Sequence, residues 1–252
     1  MSRTGPSRTV GPVEPGHVHV WTACLGGEAW DDEALGRVLD DRERSRAMAF
    51  RLERDRRRFV RSHGMLRHLL AACLGVPAAE IVFAEGPHGK PRLAAPRRAD
   101  LHFSLSHSGA CCAVALRPDH PVGIDVELLR ELPQATAIAH RMFAPHEAER
   151  LERLDAALRR RAFFALWCRK EACSKALGGP LADHLDRFEF AIDDNGAVRL
   201  IACDDTPLAA GEWAIQGFEP MPGHVGALAT RAPIRSLAQR KWPVGQPPCP
   251  SG

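Results

Sequence analysis

Two carboxylates inside an apolar, β-branched run constrain this chain more than any other feature. In VGIDVE, residues 122–127, Asp125 and Glu127 are separated by a single valine. On a strand, residues i and i+2 project from one face, about 7 Å apart along the chain, so both acids look toward one point. Two unpaired anions on a half-buried strand repel each other and lose hydration, and a cation is the expected remedy. The simpler alternative for these six residues is a solvent-facing edge strand with two independent acids.

Ammonium groups to answer those acids are few. The chain has 34 Lys and Arg against 31 Asp and Glu, a net charge of +3, yet lysine occurs only at 90, 170, 175 and 241. Two of these fall in FFALWCRKEACSKALGG, residues 163–179. As a helix, this segment lines up Trp167, Glu171 and Lys175 in one stripe with Lys170 beside it. Phe163, Phe164, Leu166 and Cys173 would face the core, with Gly178 as the C-cap. An ordinary amphipathic helix with one Glu–Lys pair accounts for most of that pattern.

The third lysine, Lys90, lies in GPHGKP between Gly89 and Pro91. A compact ammonium suits a phosphate as a point charge, whereas arginine demands planar bidentate geometry. A hairpin turn with a solvated lysine is the alternative. In HFSLSHSG, residues 102–109, Ser104, Ser106, His107 and Ser108 close a strand. No G-x-S-x-G elbow is present, and adjacent Ser106 and His107 point to opposite faces of a strand, so they make a poor nucleophile–base pair. Donors at a strand end suit anion binding, and an ordinary polar turn is the competing reading.

The rest of the 252 residues sets an α+β layout. HVHVWTA reads as a first strand, DDEALGRVL as a short helix, and Arg54–Cys73 as a longer helix with Phe59, Leu69, Leu70 and Cys73 on its apolar face. Strands follow at IVFAE, LHFSLSHSG, CCAVALR and VGIDVE, then helices over 134–142 and 146–178 with a break near Asp155. Strands close the chain at RFEFAI, AVRLIA, EWAIQGF and HVGALAT. SGACCAVALR and GHVGALATR share a small, apolar texture that hints at an internal repeat. The expected organisation is a loose tail over 1–16, an N-terminal half over 17–121, a C-terminal half over 122–232 and a loose tail over 233–252.

No apolar run reaches the roughly 20 residues of a spanning helix, and MSRTGPSRTVGPVEPG lacks the apolar core of a signal peptide. Eight cysteines form no CxxC pair and several sit in apolar runs, as reduced thiols of a cytoplasmic protein do. Residues 37–67 hold eleven arginines against five acids, which raises nucleic-acid binding as a rival function. Interleaved acids and the carboxylate pair downstream argue against it. A different magnesium-dependent phosphotransfer enzyme would need a G-x-x-x-x-G-K-[ST] loop, which is absent.

Taken in order, HGKP (88–91), FSLSHSG (103–109), VGIDVE (122–127) and WCRKEACSKALGGPL (167–181) resemble the Sfp-type 4′-phosphopantetheinyl transferases. The resemblance covers about Leu39 to Ile192. It implies a pseudo-twofold fold of two similar α/β halves in one chain, a monomer, with the active site in the cleft between them. It also implies transfer of the phosphopantetheine arm of coenzyme A to a serine of an apo acyl or peptidyl carrier protein in fatty-acid, polyketide or nonribosomal-peptide synthesis, releasing adenosine 3′,5′-bisphosphate. No nucleic acid or membrane partner is implied.

Carried over by position, Asp125, Glu127 and Glu171 match the family's Mg²⁺ ligands, with Mn²⁺ as an alternative ion. Lys90, Ser106, His107, Lys170 and Lys175 match positions that hold coenzyme A phosphates, His107 near the 3′-phosphate. Arg46 matches a family lysine that contacts the nucleotide and Arg58 an arginine of the family's first long helix, both as cofactor-binding candidates, while Glu43 stands where the family has a lysine, leaving Arg42 or Arg44 to substitute. Glu171 is the candidate general base and Lys175 its catalytic neighbour. Arg141, Arg150, Arg153 and Arg159–Arg161 are candidates for a basic rim that meets an acidic carrier.

Overall fold

A computed structural model describes residues 10–86, 90–96, 101–178, 185, 187–203, 206–207 and 212–243. Its first half is a sheet backed by one long helix. The sheet runs β12 (Ser236–Lys241), β1 (His17–Cys24), β5 (Cys111–Pro118) and β4 (Leu101–Ser108), with β12 parallel to β1 and the other pairs antiparallel. Helix α3 (Glu53–Leu74) lays Met65, Leu66, Leu69 and Leu70 on Trp21, Val114 and Leu116 of this sheet. A 22-residue helix with that apolar spacing gains its stability from the face it buries.

The second half repeats the plan. Strands β10 (Ala214–Phe218), β11 (His224–Thr230) and β6 (Val122–Leu128) form an antiparallel sheet, covered by α6 (Ala156–Leu177). Both long helices end on a left-handed glycine, Gly75 at φ 68° and Gly178 at φ 79°, the conformation a Cβ disfavours. The two central strands, β5 and β11, are buried on both faces, which is why each reads as a continuous run of small apolar residues. Between the sheets a third core joins Val18, Val20, Ala113 and Ala115 to Val122, Ile124, Val126 and Leu228.

The smaller elements complete the frame. These are α1 (Asp32–Arg37), α2 (Asp41–Met48), the hairpin β2 (Val82–Glu85) with β3 (Pro91–Ala95), and α4 (Ala135–Met142) with α5 (Pro145–Glu152). A further sheet holds β7 (Phe188–Ile192), β8 (Val198–Cys203) and β9 (Thr206–Pro207). The break expected near Asp155 is present: its carboxylate caps α6 by accepting from the Ala157 and Leu158 amides, each at 3.0 Å.

The expectation of a loose tail from 233 onward is corrected for Ser236–Lys241. That segment is β12, and it pairs with β1 across the whole register from His17–Ser236 to Thr22–Lys241. Its alternating Leu237, Gln239 and Lys241 carry too weak a pattern to read as a strand; pairing with the open edge of β1 orders it. At the other end Val10 and Val13 pack against the first core. Residues 1–9 and 244–252 lie outside the described residues. Among the described residues no helix is long and apolar enough to cross a membrane, and the seven described cysteines are free thiols.

Candidate active site

Alternation along β6 builds the site. Val122, Ile124 and Val126 turn into the core between the sheets, so Gly123, Asp125 and Glu127 turn toward α6. Gly123 is where the helix touches down: a Cβ there would lie 1.9 Å from the Ala172 carbonyl oxygen and 2.7 Å from the Ala176 amide nitrogen. That close approach sets Glu171 and Lys175 of α6 over the two strand acids.

Contacts follow from this placement. Lys175 Nζ donates to Asp125 Oδ1 at 2.7 Å and to the Ile124 carbonyl at 3.2 Å. Burial works against its ammonium, but Asp125 and Glu171 outweigh that and raise its pKa. Asp125 is 5% exposed, and its Oδ2 is buried with no hydrogen-bond partner. Glu171 is 6% exposed, and burial, followed by the charge of Asp125, pushes its carboxyl up to about 8. Glu127 accepts from Ser108 Oγ at 2.6 Å and from Arg130 at 3.2 Å.

Serines of β4 tie the two sheets together at this point. Ser104, Ser106 and Ser108 Oγ accept from the backbone amides of Ile124, Val126 and Leu128 at 3.1, 3.3 and 3.2 Å. Their hydroxyls thus stand where a neighbouring strand's carbonyls would, across the junction of the halves. Ser106 also donates to Asp125 Oδ1 at 2.8 Å.

A cavity of about 420 Å³ opens beside these groups, lined by Arg46, His63, Lys90, Ser104, Ser106, His107 and Lys175 among others. Lys90 Nζ donates to the carbonyls of Val122, at 3.1 Å, and of Lys175. Burial and the nearby Lys175 charge bring its pKa down to about 8. His107 is lowered too, by the protein around the ring and then by the charges of His63, Lys175 and Arg58. An adjoining cavity of about 320 Å³ is lined by Arg42, Glu43, Arg46, Phe59, His63 and Phe83 among others. The two cavities therefore share Arg46 and His63, with Lys90 and Lys175 on the first and Arg42 beside Asp40, Glu43 and Glu85 on the second.

Comparison with known proteins agrees with that chemistry. Residues 121–225 match the family model of the 4′-phosphopantetheinyl transferase superfamily, and residues 28–119 match that of the 4′-phosphopantetheinyl transferase N-terminal region. The 4′-phosphopantetheinyl transferase HetI of Nostoc is 32% identical over 214 residues, covering 84% of this chain and 86% of its own. The psf-1 transferase of Bacillus pumilus is 31% identical over 80% of this chain and 82% of its own. The mouse L-aminoadipate-semialdehyde dehydrogenase-phosphopantetheinyl transferase is 28% identical over 81% of this chain and 70% of its own.

The chain belongs to the 4′-phosphopantetheinyl transferase superfamily.

Of the residues expected in the transferase site, Lys175, Lys90, His107 and Arg46 line one cavity, while Asp125 bonds Lys175 and Ser106, and Glu127 bonds Ser108, on the strand beside it. Arg58 is half-buried, 3.7 Å from Asp55, and its charge reaches His107. Lys170 is corrected: it points away from the cleft, 0% exposed, paired with Glu147 at 2.8 Å and donating to the carbonyls of Leu185 and Phe188. Glu147, also 0% exposed, accepts from the Ala144 and Phe190 amides. One residue of helix rotation, about 100°, separates Lys170 from Glu171 and accounts for the different roles. Ser106 lines the same cavity, with its hydroxyl donating to Asp125 and accepting from the Val126 amide.

Arginines offered as a carrier rim are mostly used within the fold. Arg150 bonds the Ile192 carbonyl and Asp194, Arg159 the Glu152 and Leu154 carbonyls, Arg160 Glu131, and Arg161 Glu219. The arginine run behind the nucleic-acid reading is likewise paired: Arg61 with Asp32, Arg67 with Asp40 and Glu43, Arg56 and Arg57 with Glu53. Helix α2, with Asp40 and Glu43 forming a capping box, escaped the sequence reading. The signal was there in D-x-x-E ahead of the helix.

Proposed function

We propose that this transferase moves the 4′-phosphopantetheine arm of coenzyme A to a serine hydroxyl of an apo acyl or peptidyl carrier protein, with Mg²⁺ held by Asp125, Glu127 and Glu171. The observation that carries this reading is the orphaned Asp125 Oδ2, buried beside a Glu171 carboxyl held near pKa 8. Among the described residues no three such side chains are yet drawn together as a ligand cluster, and Lys175 supplies the positive charge on Asp125. The donors are hard oxygens, too few to complete an octahedron, which fits Mg²⁺ sharing the site with water and donor phosphate. Bound there, the ion would neutralise charge on the pyrophosphate and let Glu171 ionise.

The chain's own residues then have separate tasks. Lys90 and Lys175 orient the pyrophosphate and offset the negative charge that grows on the leaving group. Glu171 accepts the proton as the carrier serine oxygen bonds to the β-phosphorus. The bond from that phosphorus to the bridging oxygen breaks, and adenosine 3′,5′-bisphosphate leaves with the electron pair. Residues 17–121 supply Lys90 and His107, and residues 122–232 supply the carboxylates and Lys175, so one chain holds a whole cleft and acts as a monomer, in the cytoplasm. The test is incubation with coenzyme A, Mg²⁺ and several apo carriers of fatty-acid, polyketide and nonribosomal-peptide type. Mass spectrometry should find the phosphopantetheine increment on a carrier serine, lost when EDTA is added; no increment on any carrier would refute the assignment.

A further inference from the structure

Two thiols face each other across the first sheet, and the proposed transfer reaction uses neither. Cys24 closes β1 and Cys111 opens β5, and the antiparallel register sets them directly opposite one another. The adjacent pair is a hydrogen-bonded one, because the Leu25 amide donates to the Ala110 carbonyl at 2.7 Å. Pairs alternate along an antiparallel ladder, so Cys24 and Cys111 occupy a non-hydrogen-bonded pair, where Cα atoms stand about 4.5 Å apart and side chains are closest. That lies inside the roughly 4.4–6.8 Å span a disulfide needs.

Alternation also gives both side chains one face. Cys111 shares the core between the sheets with Val18, Val20, Ala113 and Ala115, and Cys24 follows Val18 and Val20 along β1 in the same step of two. Burial, and after it the charge of Cys24, pushes the Cys111 thiol up to about 12, so the two thiols are close enough to interact. Their access differs. Cys24 is exposed, whereas Cys111 is 1% exposed. Cys112, next in the chain, turns to the opposite face and packs in the first core.

We propose that Cys24 and Cys111 form a modification site for low-molecular-weight disulfides, which convert the pair to a bridge between β1 and β5. The Cys24 thiolate attacks one sulfur of the disulfide RSSR and forms a mixed disulfide, releasing RS⁻. Cys111 then gives up its proton and attacks the Cys24 sulfur, and the second RS⁻ leaves. The net exchange takes two protein thiols and RSSR to one protein disulfide and two RSH. Capping Cys24 removes the charge that opposed ionisation of Cys111, and proximity replaces the collision that a buried thiol does not make. On β4 the register partner of Cys111 is Ser108, whose hydroxyl donates to Glu127. The bridge therefore fixes the sheet one strand away from a candidate metal ligand.

Incubating the full-length protein with oxidised glutathione, then blocking free thiols and mapping peptides by mass spectrometry, tests this site. The parent should yield a peptide linked through Cys24 and Cys111, lighter by two hydrogens, and no lasting glutathione on Cys24. Cys111→Ala should stop at the first step and keep glutathione on Cys24. The oxidised parent should also unfold at a higher urea concentration than the reduced one, since the bridge closes a long loop. Dithiothreitol should reverse that gain, and Cys24→Ser should lack it. Glutathione remaining on Cys24 of the parent, an unmodified Cys24, or Cys24 joined to another cysteine would overturn the proposal.

Discussion

Replacing Glu171 by glutamine should flatten the pH dependence of stability of the metal-free protein. In the folded chain burial, and after it the charge of Asp125, pushes the Glu171 carboxyl up to about 8 from its ordinary 4.5. A raised folded pKa means that its stabilising contribution is fully present below the unfolded value and lost as pH rises through the folded one. At 1.36 kcal/mol for each pH unit of difference, the loss from about pH 5 to about pH 9 comes to roughly 4 kcal/mol. Lys90 acts in the opposite sense: its folded pKa is lowered from 10.5 to about 8, so stability returns above pH 8. Both proteins share that contribution, and their difference isolates Glu171.

Urea unfolding in EDTA at the two pH values, for the parent and Glu171→Gln, measures the effect. The parent should lose several kcal/mol on going alkaline and the variant markedly less. Added Mg²⁺ should raise the parent's midpoint at the alkaline pH, since a ligand bound only by the folded state stabilises it, and should do so less in the variant. Equal pH slopes for the two proteins would refute the argument that burial, and after it the charge of Asp125, disfavours the ionised Glu171 carboxylate.

Other changes probe the frame that holds this group. Lys170→Ala should cost about 3–5 kcal/mol by stranding buried Glu147, read by denaturant titration, while coenzyme A affinity of the folded fraction stays within about twofold. Gly123→Ala should force α6 off β6, given the 1.9 Å approach to the Ala172 carbonyl, and abolish carrier labelling together with the cooperative thermal transition. Ser106→Ala should cost about 1–3 kcal/mol by leaving the Val126 amide and Asp125 short of a partner, seen as a lower midpoint in urea. Ending the chain before Ser236 should uncover the edge of β1, and faster amide exchange over 17–24 would report it.

Strong periodic segments were legible from the residues. The long helices of both halves, the apolar central strands and the paired acids of VGIDVE all carry local patterns of period 3.6 or 2. The ligand candidates Asp125, Glu127 and Glu171 lie on the faces those periods assign, as does Lys175. Lys170 shows the limit: a helical wheel places it beside the stripe, yet a 0% exposed Glu147 from α5 claims it, and no spacing within α6 reveals a partner in another helix. The cluster of Glu43, His63 and Arg67 shows the same limit, because Glu43 comes from α2, twenty residues before His63 on α3.

By itself the sequence determined which faces turn inward, where helices stop on glycine, and that Asp125 and Glu127 share one face of a strand. Those follow from backbone periodicity and local sterics, which act over a few residues. Only the tertiary structure decided that α6 rests on Gly123, that serine hydroxyls stitch β4 to β6, and that a stretch after residue 235 completes the first sheet. Each depends on a partner brought close by folding, and the free energy of such a contact belongs to the pair of surfaces and to neither segment alone.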